Sequence, residues 1–108
     1  MAIELPAAIA GYFASDLPGE TDNLGQFFTE DAHVHDEGED YDGRDEIVAW
    51  RTAAKQRYTY TAEPLAVTER DSNTIVRTRL EGNFPGSPVD VDFIFRLRDG
   101  LIAGLEVA

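Results

Sequence analysis

The chain of 108 residues contains no cysteine, which excludes disulfide bonds and thiolate chemistry. It has no apolar run of 18 residues, and Met1 to Pro6 carries Glu4 where a secretory leader would carry bases ahead of an apolar stretch. Neither a transmembrane helix nor a signal peptide is expected, and the expected location is the cytoplasm. Bases are scarce: 9 Lys and Arg stand against 21 Asp and Glu, for a formal net charge of −12. The imbalance is local. Residues 1–46 hold 13 acids and one base, Arg44, whereas residues 47–108 hold 8 of each. Such a surface repels phosphate backbones and anionic lipid, so neither a nucleic acid nor a membrane is an expected partner. Also missing are a G-x-S-x-G elbow, a Walker loop, a dinucleotide fingerprint and a Cys/His nucleophile pair. Acyl, phosphoryl and hydride transfer therefore lack sequence support, and no cofactor is expected. The acidic run Asp36–Gly43 does not place its oxygens, glycine and distal glutamate in the register of a calcium-binding EF-hand.

What remains is one domain's worth of chain, residues 1–108, with two kinds of periodicity. Leu5, Ala8, Ile9, Tyr12 and Phe13 recur at helical spacing and predict a helix over Leu5–Ser15, with Pro6 in its first turn. After the breaker Leu17-Pro18-Gly19, the residues Leu24, Phe27 and Phe28 predict a second short helix capped by Thr21. A strand is expected over Ala32–Glu37, then a brief extended piece at Tyr41-Asp42-Gly43. A third helix follows, with Ile47, Trp50, Ala54 and Tyr58 on one face and Arg44, Glu46, Arg51 and Lys55 mostly toward water. The rest reads as strands: Thr59–Arg70 broken at Pro64, Thr74–Gly82, Val89–Arg98 and Leu101–Val107, the last after the turn Arg98-Asp99-Gly100. Alternation of Val89, Val91, Phe93, Phe95 and Leu97 with polar residues marks a half-buried antiparallel sheet. The outward Arg77 and Arg79 are expected to meet Asp90 and Asp92 across a hairpin.

Within this frame the segment Ala32-His33-Val34-His35-Asp36 stands out. Residues at i and i+2 of a strand share a face, so Asp36 falls on the apolar side with Ala32 and Val34. An acid where the pattern asks for a hydrophobe is a candidate site. Ringed by Phe28, Val34, Phe93 and Phe95, it would have its pKa raised by desolvation. The plainer readings are that Asp36 caps a turn or pairs with Arg44 and that Tyr12 is an ordinary core residue. Trp50, with Tyr58 and Tyr60 just beyond it, suits an aromatic wall for a planar ligand, or simply core. Phe84, in the loop 83–88, either covers a cavity or docks on the core. His33 and His35 lie on the opposite face of the strand, and metal binding there is not expected.

The order of helices with one interposed strand and a terminal meander, together with Phe28-x-x-Asp31-Ala32-x-Val34-x-Asp36-x-Gly38, Gly43-Arg44-x-x-Ile47-x-x-Trp50 and Gly82-Asn83-Phe84-Pro85-Gly86-Ser87-Pro88, resembles the nuclear transport factor 2-like superfamily. Its SnoaL-like and ketosteroid-isomerase-like branches look most similar. The resemblance implies a cone-shaped α+β domain: three N-terminal helices, with a strand interposed, packed on a curved antiparallel sheet that encloses an apolar pocket. It also implies a homodimer formed through the outer sheet face, for which outward Ile75 and Ile94 are suited. The activities it implies are cofactor-free proton transfer of the isomerase or cyclase kind on a small apolar carbonyl or aromatic compound, or else ligand binding without catalysis. Asp36 then matches the general base and Tyr12 the oxyanion-binding tyrosine. Phe93 stands where ketosteroid isomerases carry a second, protonated acid, which argues against steroid isomerisation itself. The ligand-binding set is Phe28, Val34, Trp50, Tyr60, Phe84, Phe93 and Phe95.

Overall fold

The computed structural model describes residues 4–15 and 21–108. Its element order is α1 (Ala7–Ala14), a 3-10 helix (Thr21–Phe27), β1 (Phe28–Asp36), β2 (Glu39–Asp42), α2 (Arg44–Arg57), β3 (Tyr60–Arg70), β4 (Asn73–Gly82), β5 (Val89–Arg98) and β6 (Leu101–Val107). The breaker Leu17-Pro18-Gly19 lies outside the described residues, as does the side chain of the expected cap Thr21.

Among the described residues two α-helices and one 3-10 helix are present, where three N-terminal helices were expected. The segment Thr21–Phe27 winds as a 3-10 helix. Its Thr, Asp, Asn and Gly residues are poor α-formers, and seven residues give too few bonds to offset a costly nucleus. Phe28 belongs not to that helix but to β1, which begins four residues before the expected strand start at Ala32.

The six strands form one sheet in the order β2-β1-β6-β5-β4-β3. It is mixed, not antiparallel throughout: β3 to β6 make an antiparallel meander, whose last strand then lies parallel to β1. Register shifts at Phe28/His33, Pro64/Ala66 and Arg96/Leu97 mark irregularities of the kind that bend strands, and the sheet curves. The shift beside Pro64 falls where the sequence predicts a break, because proline donates nothing to a ladder.

The concave face carries the core. Val76, Thr78, Phe93, Phe95, Ile102 and Leu105 from the meander meet Ile9, Tyr12 and Phe13 of α1 and Ile47 of α2. On the convex face of the β4–β5 pair, Arg77 lies opposite Asp92 and Arg79 opposite Asp90. Their ion pairs close at 3.2 and 2.9 Å.

Candidate active site

Strand β1 brings Asp36 to the inner side by simple alternation: Ala32 and Val34 are buried and Asp36, two residues on, is half-buried. The strand then reverses through Glu37 and Gly38, both with positive φ (54° and 78°), and Asp36 pairs directly with Glu39. Two consecutive positive φ values are the signature of a type I′ hairpin turn, which Gly38 adopts without strain. Strand β2 returns with Tyr41 opposite Val34, and helix α2 starts directly after Gly43. The hairpin turn and the bend at Gly43 thus place Asp36, Tyr41 and the α2 residue Trp50 side by side. The Trp50 indole N–H donates to Asp36 Oδ2 at 3.1 Å, and the Tyr41 and Trp50 rings lie 6.0 Å apart, tilted by 37°.

These residues share a cavity of about 930 Å³ with Tyr12, Tyr60, Phe84 and Phe93. Tyr58, Leu80, Val91 and Val107 extend its wall, and the exposed Glu37, Asp40, Glu46 and Arg57 stand at its rim. The lining is therefore mixed: aromatic and aliphatic surface with one half-buried carboxylate and a charged edge. Phe84 packs edge-on against Tyr58 and Tyr60, with centroids 6.1 and 6.4 Å away. Phe28, Val34 and Phe95 have no exposed surface and sit in the core, apart from the cavity lining.

Tyr12 is 3% exposed, and the rings of Phe13, Phe28, Phe93 and Phe95 surround it at 5.3 to 6.1 Å. Its remaining face carries Arg51, whose guanidinium carbon lies 4.5 Å from the ring centroid. Arg51 also donates from Nη2 to the Tyr12 carbonyl at 3.4 Å. The sequence reading turned Arg51 to water; it is buried, at 3% exposure. The signal was available, since Arg51 lies four residues beyond the buried Ile47 on the same helical face. Tyr41, between two acids on a four-residue strand, was missed as a lining residue because so short a segment shows little alternation.

Asp36 has its pKa raised, first by burial and further by the neighbouring Glu37; the Trp50 indole pulls it back toward the ionised form. Arg44 does not pair with it but donates from Nε to the Phe28 carbonyl at 3.0 Å. No ion pair to Asp36 occurs among the described residues. By contrast Asp31, at the surface of the same strand, is held down to about 2 by hydrogen bonds from Arg98 and Thr29. Chemically, then, one strand carries an ordinary paired acid and a desolvated one facing a cavity.

A family model described as SnoaL-like domain matches residues 7–105. The chain belongs to the SnoaL-like family. Among solved structures, a Sinorhizobium meliloti protein named provisionally as a polyketide cyclase is 41% identical, over 96% of this chain and 95% of that one, with a TM-score of 0.91. The Δ5-3-ketosteroid isomerase of a Mycobacterium species is 18% identical over 94% of this chain and 89% of that one, at a TM-score of 0.76. A Catenulispora acidiphila protein with a ketosteroid isomerase-like fold, in complex with trimethylamine, is 17% identical over 97% and 86%, at 0.82. At the two lower identities the likeness to this SnoaL-like chain is one of fold. No curated protein matches it.

Proposed function

We propose that this SnoaL-like domain binds a small apolar carbonyl or aromatic compound in the cavity beneath α2 and catalyses cofactor-free proton transfer on it, with Asp36 as base and Tyr12 as hydrogen-bond donor. The observation that carries this reading is the Asp36 carboxylate, half-buried on the wall that it shares with Tyr12 and held at one oxygen by Trp50. Desolvation makes such a carboxylate a better match for proton abstraction near neutral pH than a solvated one. With Oδ2 bonded to the indole, Oδ1 is the oxygen that meets the substrate proton. Asp36 removes a proton from the carbon next to the carbonyl, and the electron pair moves into the carbonyl to form an enolate. The Tyr12 hydroxyl donates a hydrogen bond to the developing oxyanion. Return of the proton to another carbon completes an isomerisation; attack of the enolate carbon on a second carbonyl of the same molecule, with the Asp36 proton passing to the new alkoxide, completes a cyclisation. The provisional name of the Sinorhizobium meliloti relative and the isomerase among the fold neighbours both fit chemistry that begins in this way.

A second reading, a binding module that dimerises through its sheet, is favoured by Ile75 and Ile94, which pair directly on the convex face.

The test uses the single tryptophan as reporter. Small aryl ketones that enter the cavity quench Trp50 fluorescence and exchange their α-protons in heavy water. Asp36→Asn is expected to slow exchange by about 10²–10⁴-fold while quenching persists. Equal exchange by the variant overturns the catalytic role, and absence of quenching across the panel overturns the binding role.

A further inference from the structure

The outward side of β1 carries an arrangement that the cavity chemistry does not use. His33 Nδ1 lies 2.6 Å from Asp42 Oδ1, and its Nε2 lies 2.9 Å from Asp40 Oδ1. His35 Nδ1 approaches the same Asp40 oxygen at 2.8 Å. An ionised carboxylate only accepts, and a neutral imidazole has one N–H and one lone pair. A neutral His33 would therefore point a lone pair at one of its two carboxylates at hydrogen-bond distance. Only the imidazolium donates to both, and both bonds are then charge-assisted.

Both acids belong to β2, a four-residue strand at the edge of the sheet with β1 as its only strand neighbour among the described residues. Its outward residues Asp40 and Asp42 are the ones that His33 grips; its inward residue Tyr41 packs on Trp50 and lines the cavity. We propose that His33 is a protonation-dependent clamp that fastens β2, and with it the Tyr41 wall of the cavity, to β1. The inference stands on the strand pairing and is independent of the proton-transfer role of Asp36.

The charged groups facing His33 come from three neighbouring strands and its own. Strand β2 contributes Asp40 and Asp42. Strand β6 contributes Glu106, beside Gly104, the register partner of His33. Arg96 of β5 opposes the cation, its guanidinium lying over Gly104, and His35 of β1 shares Asp40. The acids outnumber the cations. Accordingly His33 titrates above the ordinary histidine value, with Asp42 the largest cause and Asp40 adding to it. The sign follows: the clamp is complete below the unfolded-state value of about 6.5 and is lost as pH rises through the higher folded value.

The test combines an imidazole NMR titration with amide hydrogen exchange across residues 39–43, including the Gly43 N–H that donates to the Ala32 carbonyl at 2.8 Å. His33 is expected to titrate above 6.5. After correction for intrinsic base catalysis, protection of β2 is expected to fall about three- to tenfold across that titration, the modest range reflecting solvent screening of exposed pairs. His33→Gln should exchange at the unclamped rate at every pH, and Asp42→Asn should lower the His33 titration point. A titration at or below 6.5, protection that is flat across it, or an unaltered pH dependence in His33→Gln overturns the clamp.

Discussion

Asp36 and Trp50 act as a pair. Burial penalises the ionised carboxylate, while the indole N–H favours it, and burial is the larger effect. Because the folded pKa lies above that of the unfolded chain, Asp36 favours the fold when protonated. That contribution is complete below the unfolded value and is lost as pH rises through the folded one. Trp50→Phe keeps an aromatic ring but removes the donor, so Asp36 is expected to titrate higher still. Carboxyl-carbon NMR, with Asp36→Asn to assign the signal, reads this directly. A titration point that does not move would mean that the indole bond contributes nothing to the ionisation of Asp36. Arg51 belongs to the same scale of argument: a buried guanidinium over the Tyr12 ring keeps a cation beside the aromatic cluster that packs around Tyr12.

Among the elements, the end of β4 makes a close approach to the end of β3, where Tyr60 lines the cavity. Gly82 pairs with Tyr60, and a Cβ added at Gly82 would lie 2.2 Å from the Thr59 carbonyl oxygen and 2.6 Å from the Tyr60 Cα. Both obstacles are backbone, which cannot swing aside as a side chain can. Gly82→Ala is therefore expected to cost about 1–3 kcal/mol, measured as a lowered urea midpoint. An unchanged midpoint would show that β3 and β4 part there at no cost. The strain would fall beside Tyr60, so the same variant should also weaken ligand-induced quenching of Trp50. Strand β2 lies at the opposite limit, short and at an edge, and its place depends on side chains as much as on its ladder.

For the whole molecule the distribution of charge and apolar surface matters more than any one contact. The convex face sets the Ile75–Ile94 pair among the Arg77–Asp92 and Arg79–Asp90 bridges, an apolar centre with a charged surround. That is the pattern of an interface between copies. If the outer face mediates the proposed homodimer, Ile94→Asp is expected to halve the mass seen by light scattering and leave the circular dichroism of the sheet unchanged. A wild-type mass of one chain would reject the dimer, and an unchanged dimeric mass in the variant would move the interface elsewhere.

The strands of the meander were legible in the residues. Val89–Arg98 and Leu101–Val107 match the expected limits, and Pro64 marks the register shift in β3. The inward placement of Ala32, Val34 and Asp36 likewise follows from a period of two, and that of Ile47 and Trp50 from a period near 3.6. These periods are properties of a single element, so the sequence alone determined which face of each element is apolar and that an acid interrupts one of them. Only the tertiary structure decided that β6 returns parallel to β1, that Phe28, Val34 and Phe95 are core while Tyr41 lines the cavity, that the Arg51 guanidinium covers the Tyr12 ring, and that the Trp50 indole meets Asp36. The reason is that each of these depends on a neighbour distant in the chain: a parallel strand, an aromatic ring beneath a guanidinium, an indole beside a carboxylate. Local periodicity encodes a face, and the partner that covers that face is chosen by packing.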